Sequence, residues 1–201
     1  MEIFLVILFF SLFIGAIILV IRWALKINKK RILLLEEYAK SKGLEHSTTK
    51  YFFSKLNQIK GEIDGIAIEI NERMVGSGKN QQLVTDVIVH SNFNFNFKIG
   101  TEHLFSKAGK IFGINDIQLG DPEIDKKFLF KSNDEERFKQ MMNYEMQHKL
   151  AGLGKSLKAS INCENGKITY SIYGALAKQS HLDNMEEVRA FIFDLMRVKI
   201  Y

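Results

Sequence analysis

The pattern of apolar and polar positions divides the chain into stretches with different periods. From Ile3 to Ile21 it has no period at all. "IFLVILFFSLFIGAIILVI" carries no charge. A helix of that length spans about 28 Å, close to the roughly 30 Å of a bilayer's hydrocarbon core. Residues 24 to 42 change to helical spacing. "RILLLEEYAKSKG" puts apolar side chains at 32, 35 and 39 and has Gly43 as a natural stop.

From about 50 to 131 the period falls to two. "EIDGIAIEIN" sets Ile66, Ile68 and Ile70 on one face and Ala67, Glu69 and Asn71 on the other. "SNFNFNFKIG" sets Phe93, Phe95, Phe97 and Ile99 against Asn94, Asn96 and Lys98, the mark of a half-buried strand. Helical spacing returns in "KSNDEERFKQMMNYEMQHKLAG", with Ser132 and Glu135 at capping-box separation. Phe138, Met141, Met142, Met146, Leu150 and Leu153 form its apolar stripe. "SINCENGKITYSIYG" predicts a hairpin turning at Asn165-Gly166, a dipeptide that tolerates positive φ. "DNMEEVRAFIFDLMRVK" predicts a closing helix that starts near Asp183, with Met185, Val188, Ile192, Leu195 and Met196 inward.

These elements predict an α+β fold. An N-terminal transmembrane helix precedes an antiparallel sheet of five to seven strands covered by two helices. The expected division is residues 1–23 as anchor, 24–48 as a juxtamembrane helix or stalk, and 49–201 as the α+β domain. No Pro- or Ser-rich linker separates anchor from domain, so the domain should sit close to the membrane.

Charge sharpens this picture. The chain carries 28 Lys and Arg against 23 Asp and Glu, a net +5. Five of the basic residues (Arg22, Lys26, Lys29, Lys30 and Arg31) follow the apolar run at once, and Trp23 stands among them at the expected interface. Without residues 1–31 the chain has 23 basic and 22 acidic residues, about +1. The basicity therefore belongs to the membrane flank, and an electrostatic nucleic-acid footprint is not expected. A cleaved signal peptide needs positive charge before a shorter apolar core, the reverse of this order. Basic residues are retained on the cytoplasmic side, so the N-terminus should face outward and the domain should be cytoplasmic. One cysteine, Cys163, cannot form an internal disulfide.

Candidate chemistry is sparse. "GLGKS" (152–156) lacks the first glycine of a phosphate loop, because Lys149 stands there, and a helix precedes it where a strand should. It reads as a helix C-cap. "GSGK" (76–79) fails in the same way and reads as a turn. His46, His90, His103, His148 and His181 show no zinc spacing. No G-x-S-x-G elbow occurs. No metal or cofactor is expected.

The densest chemical stretch is "GDPEIDKKF" (120–128), with Asp121, Glu123 and Asp125 beside the only proline, Pro122. A calcium loop would need glycine and glutamate where Lys126 and Ser132 stand. A paired-carboxylate site needs two acids in one cleft with separated pKa values. The structural alternative has Asp121 as N-cap, Pro122 at N1, Glu123 against the positive end of the dipole, and Ile124 and Phe128 docking on the sheet. Asp121, Pro122, Asp125 and Phe128 thus mark a structural turn or a functional one.

The segment "DIQLGDPEIDKKFLFKSNDEERF" (116–138) resembles a signature of uncharacterised bacterial membrane-anchored proteins. There a G-D-x-x-[FI]-D-x-x-F turn is followed by a strand, a short acidic turn and a helix. The resemblance implies architecture and bacterial membrane location, with no chemistry attached. The expected function is a single-pass protein anchored through residues 3–21, whose cytoplasmic domain binds a protein partner. The alternative is a membrane-tethered, hydrolase-like enzyme whose site assembles from distant His and acidic residues, with Asp121 and Asp125 as first suspects.

Overall fold

A computed structural model of the chain describes residues 2–52, 54–101 and 115–200. The first element, α1, runs unbroken from Glu2 to Ser41. Gly43 ends it with φ +69°, and the Leu44 amide donates back to the Ala39 carbonyl. The strands are β1 (Glu45–Tyr51), β2 (Ser54–Ile63), β3 (Ile66–Val75), β4 (Gln82–His90), β5 (Phe97–Gly100), β6 (Asn115–Ile117), β7 (Leu129–Ser132), β8 (Ile161–Glu164) and β9 (Lys167–Tyr173). Among the described residues, the α-helices after α1 are α2 (Pro122–Lys127), α3 (Glu135–Met141), α4 (Tyr144–Leu153) and α5 (Gln179–Arg197).

The described strands form one sheet, ordered β1-β2-β3-β4-β9-β8-β5-β7-β6, and every pairing is antiparallel. The fold is α+β, as the periodicity implies, but the sheet is wider than the expected five to seven strands. The late hairpin β8–β9 inserts between β4 and β5 and joins two smaller sheets into one. Its turn falls at Asn165-Gly166, with φ of 51° and 74°. A Cβ on Gly166 would lie 2.8 Å from the Ser91 carbonyl oxygen, so glycine is required there for space as well as for φ.

One face of the sheet carries the core. Ile59, Ile68, Ile70, Val87, Val89, Phe97, Ile99, Phe130, Ile161 and Ile168 pack there with Phe138, Met142, Met146, Leu150, Met185, Val188 and Ile192 from the helices. The period-two and period-3.6 stripes of the sequence therefore meet in one hydrophobic cluster. The other face is polar, with Lys60, Glu69, Thr169, Asn162, Lys98, Lys131 and Asp116 lying across neighbouring strands.

Four local expectations need correction. The alternating Phe-Asn run forms a ladder only from Phe97. Phe93, Phe95 and Phe97 still stack inward with centroids 5.4–5.7 Å apart. The intervening asparagines replace strand partners: Asn94 accepts from Arg137, and the Asn96 amide donates to Asn133 Oδ1. The methionine-rich helix is two helices, because Asn143 begins a new one by accepting from the Met146 amide at 3.1 Å. Asp134, not Ser132, caps α3. The closing helix starts at Gln179, so Asp183 lies inside it.

The stalk reading also changes. Leu35, Tyr38 and Ala39 are buried in the core cluster, and β1 begins at Glu45. From Arg31 onward the segment expected to be stalk packs against the sheet, whereas residues 24–30 are exposed or half-buried. Upstream, α1 has an apolar stretch long enough to cross a membrane, and none of it is buried.

Candidate functional site

The turn "GDPEIDKKF" folds as its residue types dictate. Asp121 caps α2, one Oδ1 accepting from the Glu123 amide at 2.9 Å and the Ile124 amide at 3.3 Å. Pro122 occupies the first helical position. The Asp125 carboxylate turns back and accepts from the Leu119 and Gly120 amides at 2.8 and 2.9 Å. Gly120 takes φ +91°, which permits that return. Ile124 and Phe128 are buried. Both suspect carboxylates thus bind backbone amides and close a turn; they do not face each other across a cleft.

The histidines are scattered. His46 Nε2 lies 2.9 Å from Asn57 Oδ1, and His90 lies 3.8 Å from Glu69. His148 packs on Tyr144 and His181 contacts the Ala175 carbonyl. His103 lies outside the described residues. Among the described residues no three His, Cys, Asp or Glu side chains converge as a metal would require. Cys163 is fully buried, and burial pushes its thiol up to about 11. "GLGKS" ends α4 through Gly154, and "GSGK" lies in the tight β3–β4 turn.

Polar density sits instead where α1 enters the domain. Arg31, expected at the membrane flank with Arg22, Trp23, Lys26, Lys29 and Lys30, turns inward and is buried. It donates to the Lys55 carbonyl at 2.6 Å and to Asn28 at 2.8 Å. Its Nη1 pairs with Glu72 at 3.5 Å, with the two side chains 9% and 1% exposed. Glu72 also accepts from the backbone and side-chain nitrogens of Asn57 at 2.8 and 2.6 Å. Arg22, Trp23, Lys26 and Lys30 are exposed, and Lys29 is exposed beside them. Arg31 therefore belongs to the domain.

A second network lies one helical turn beyond Leu35. Tyr38 donates to Glu186 at 2.6 Å, Lys42 pairs with Glu186 at 2.8 Å, and Arg189 donates to both of its oxygens. Burial pushes the Glu186 carboxyl up, but the bonds from Arg189, Lys42 and Tyr38 outweigh it and hold the group down at about 2. Burial and the Glu186 contact raise the Tyr38 phenol. These bonds tie α1 to α5 across the core, as Arg31 ties it to β2 and β3.

Two of the concavities among the described residues bear on chemistry. One, about 350 Å³, lies between Phe93, Phe95, Arg137, Met196, Val198 and Ile200. The other, about 650 Å³, is a shallow hollow on the polar face around His90, Lys98, Asn162, Glu164, Lys167 and Thr169. Burial lowers the Lys98 ammonium there, with Lys131 adding to the effect. Neither holds a nucleophile beside a base.

Fold and site together define a class: an antiparallel α+β domain built onto the end of a long apolar N-terminal helix. The crystal structure of the mycobacterial trehalose monomycolate transport factor A, TtfA, has a similar fold, with TM-score 0.56 and 14% identity. The match covers 86% of this chain and 95% of that one. No family model and no curated protein matches the sequence.

Proposed function

We propose that the chain is a single-pass bacterial membrane protein whose domain stands on the cytoplasmic side and binds a protein partner. The observation that carries this reading is the continuity of α1, which leaves the apolar stretch and becomes part of the domain core without a linker. A domain fixed to its anchor in this way presents its surfaces in a set orientation to neighbours in the same membrane. The cluster Arg22, Lys26, Lys29 and Lys30 supports an outward N-terminus by the positive-inside rule. The fold shared with a transport factor supports an accessory role in a membrane transport process. The turn signature at Gly120, Asp121, Ile124, Asp125 and Phe128 supports kinship with the bacterial membrane-anchored proteins it resembles, since each of these residues has a distinct task in the turn.

The reading is tested by crosslinking the tagged full-length protein in cells at native level and identifying what copurifies from membranes. One dominant partner, retained when residues 3–21 are exchanged for another apolar segment, is the expected result. No partner above background, together with reproducible turnover by the membrane-extracted protein, would favour the tethered-enzyme alternative.

A further inference from the structure

The end of the sheet nearest the anchor carries a second feature. Arg31 meets the Lys55 carbonyl at 2.6 Å, and thirteen residues on, just past the end of α1, Leu44 packs against Gly61. β2 therefore runs beside the end of α1, with its Lys55 end toward the apolar stretch. The eight residues from Trp23 to Arg31 rise about 12 Å. Lys55 pairs with Lys50, and Phe52, two residues past Lys50, extends up to about 7 Å in the same direction. Phe52 thus reaches to within about 5 Å, one helical turn, of the level of Trp23.

The composition of this end is distinctive. Outside α1, the exposed large apolar side chains among the described residues are Phe52, Tyr144 and Tyr173. Two of them lie here: Phe52, 76% exposed at the tip, and Tyr173, whose partner Val84 faces the end of β3. Phe52 sits in left-handed backbone at φ 48°, with its ring edge-on to Tyr51 at 5.0 Å. Gln81 donates to the Tyr51 hydroxyl at 2.9 Å and ties the β3–β4 turn to the tip. Lys50, Lys55 and Lys79 are exposed around it. The acids of this end are engaged: Glu72 is buried and Asp86 binds Arg73 and Ser171. Glu45, Glu62 and Asp64 lie at the opposite end.

We infer that this end of the sheet is a second membrane contact, with Phe52 entering the interface and Lys50, Lys55 and Lys79 meeting anionic headgroups. Aromatic rings and lysines are the residues that suit the headgroup boundary, and the bilayer entered by α1 lies alongside. The inference rests on α1 being seated in a membrane.

The test uses full-length protein in nanodiscs of phosphatidylcholine and phosphatidylglycerol with brominated acyl chains. Trp23 is the only tryptophan, so the unmodified protein reports on the anchor. Trp23→Phe with Phe52→Trp reports on the tip. Trp23→Phe with Tyr144→Trp is the control: Lys149 with Asp194 and Ser156 with Asn184 run α4 antiparallel to α5, and Arg197 at the end of α5 meets Asp64 at the opposite end of the sheet, which puts Tyr144 toward that far end. The expected result is quenching of the Phe52→Trp reporter several-fold stronger than the control, lost when Lys50, Lys55 and Lys79 are changed to Glu. Quenching equal to the control while Trp23 is quenched would overturn the tip contact alone. Quenching untouched by the charge reversal would overturn the assignment to anionic lipid. An unquenched Trp23 would overturn the membrane reading beneath both.

Discussion

Arg31 of α1 and Glu72 of β3 face each other at 3.5 Å, and both side chains are buried. A basic residue that follows an apolar segment normally serves water or headgroups. This one instead neutralises an acid on the core face of β3. The pair couples α1 to the sheet at a point where helix and strand must keep their register.

Removing one partner should expose that coupling. Arg31→Ala leaves Glu72 charged and desolvated, and breaking such a pair costs about 3–5 kcal/mol. Replacing both, Arg31→Met with Glu72→Gln, which keeps an acceptor for Asn57, should cost less. Denaturant unfolding in detergent reads both, and equal losses would contradict the coupling.

Glu186 sets an acid limit. Its carboxyl is held at about 2, against an ordinary value of 4.5. A depressed pKa contributes stability that is complete above the ordinary value and is lost as pH falls from about 4.5 toward 2. Stability should decline in that window by on the order of 2–3 kcal/mol from this group. The Glu186→Gln variant should show a shallower decline in melting temperature across the same range.

The turn at 120–128 should behave as a joint. Asp121→Ala removes the N-cap and should cost about 1 kcal/mol, whereas Asp121→Asn keeps an acceptor and should cost little. Asp125→Ala frees two backbone amides and should cost at least as much. Melting curves of the three variants decide this. A cellular defect with unchanged melting would assign the turn a function apart from folding.

Cys163 should resist thiol reagents in the folded protein. It has no exposed surface and its thiol is pushed up to about 11. Maleimide labelling at neutral pH should appear only on unfolding, and rapid labelling of the native protein would show that the β5–β8 region opens.

Much of this architecture is legible in the sequence because side-chain period reports burial directly. The Asn165-Gly166 turn and the Asp121-Pro122 cap are local devices, and both form where their residue types predict. Arg31 was hidden by its neighbours, since five clustered basic residues look alike on charge. Its phase gives it away: it lies four residues before Leu35 and eight before Ala39, on the buried stripe. Glu72 likewise continues the Ile68–Ile70 alternation inward, a buried acid that demands a partner. The insertion of β8–β9 between β4 and β5 is a long-range pairing, and no local period encodes it.

The central claim is that anchor and domain form one rigid unit. It is tested most directly by pulsed electron resonance between spin labels at Lys26→Cys and Lys60→Cys, in a Cys163→Ser background, with the full chain in nanodiscs. The account predicts a single narrow distance distribution. A broad distribution, of the kind a flexible stalk produces, would contradict it.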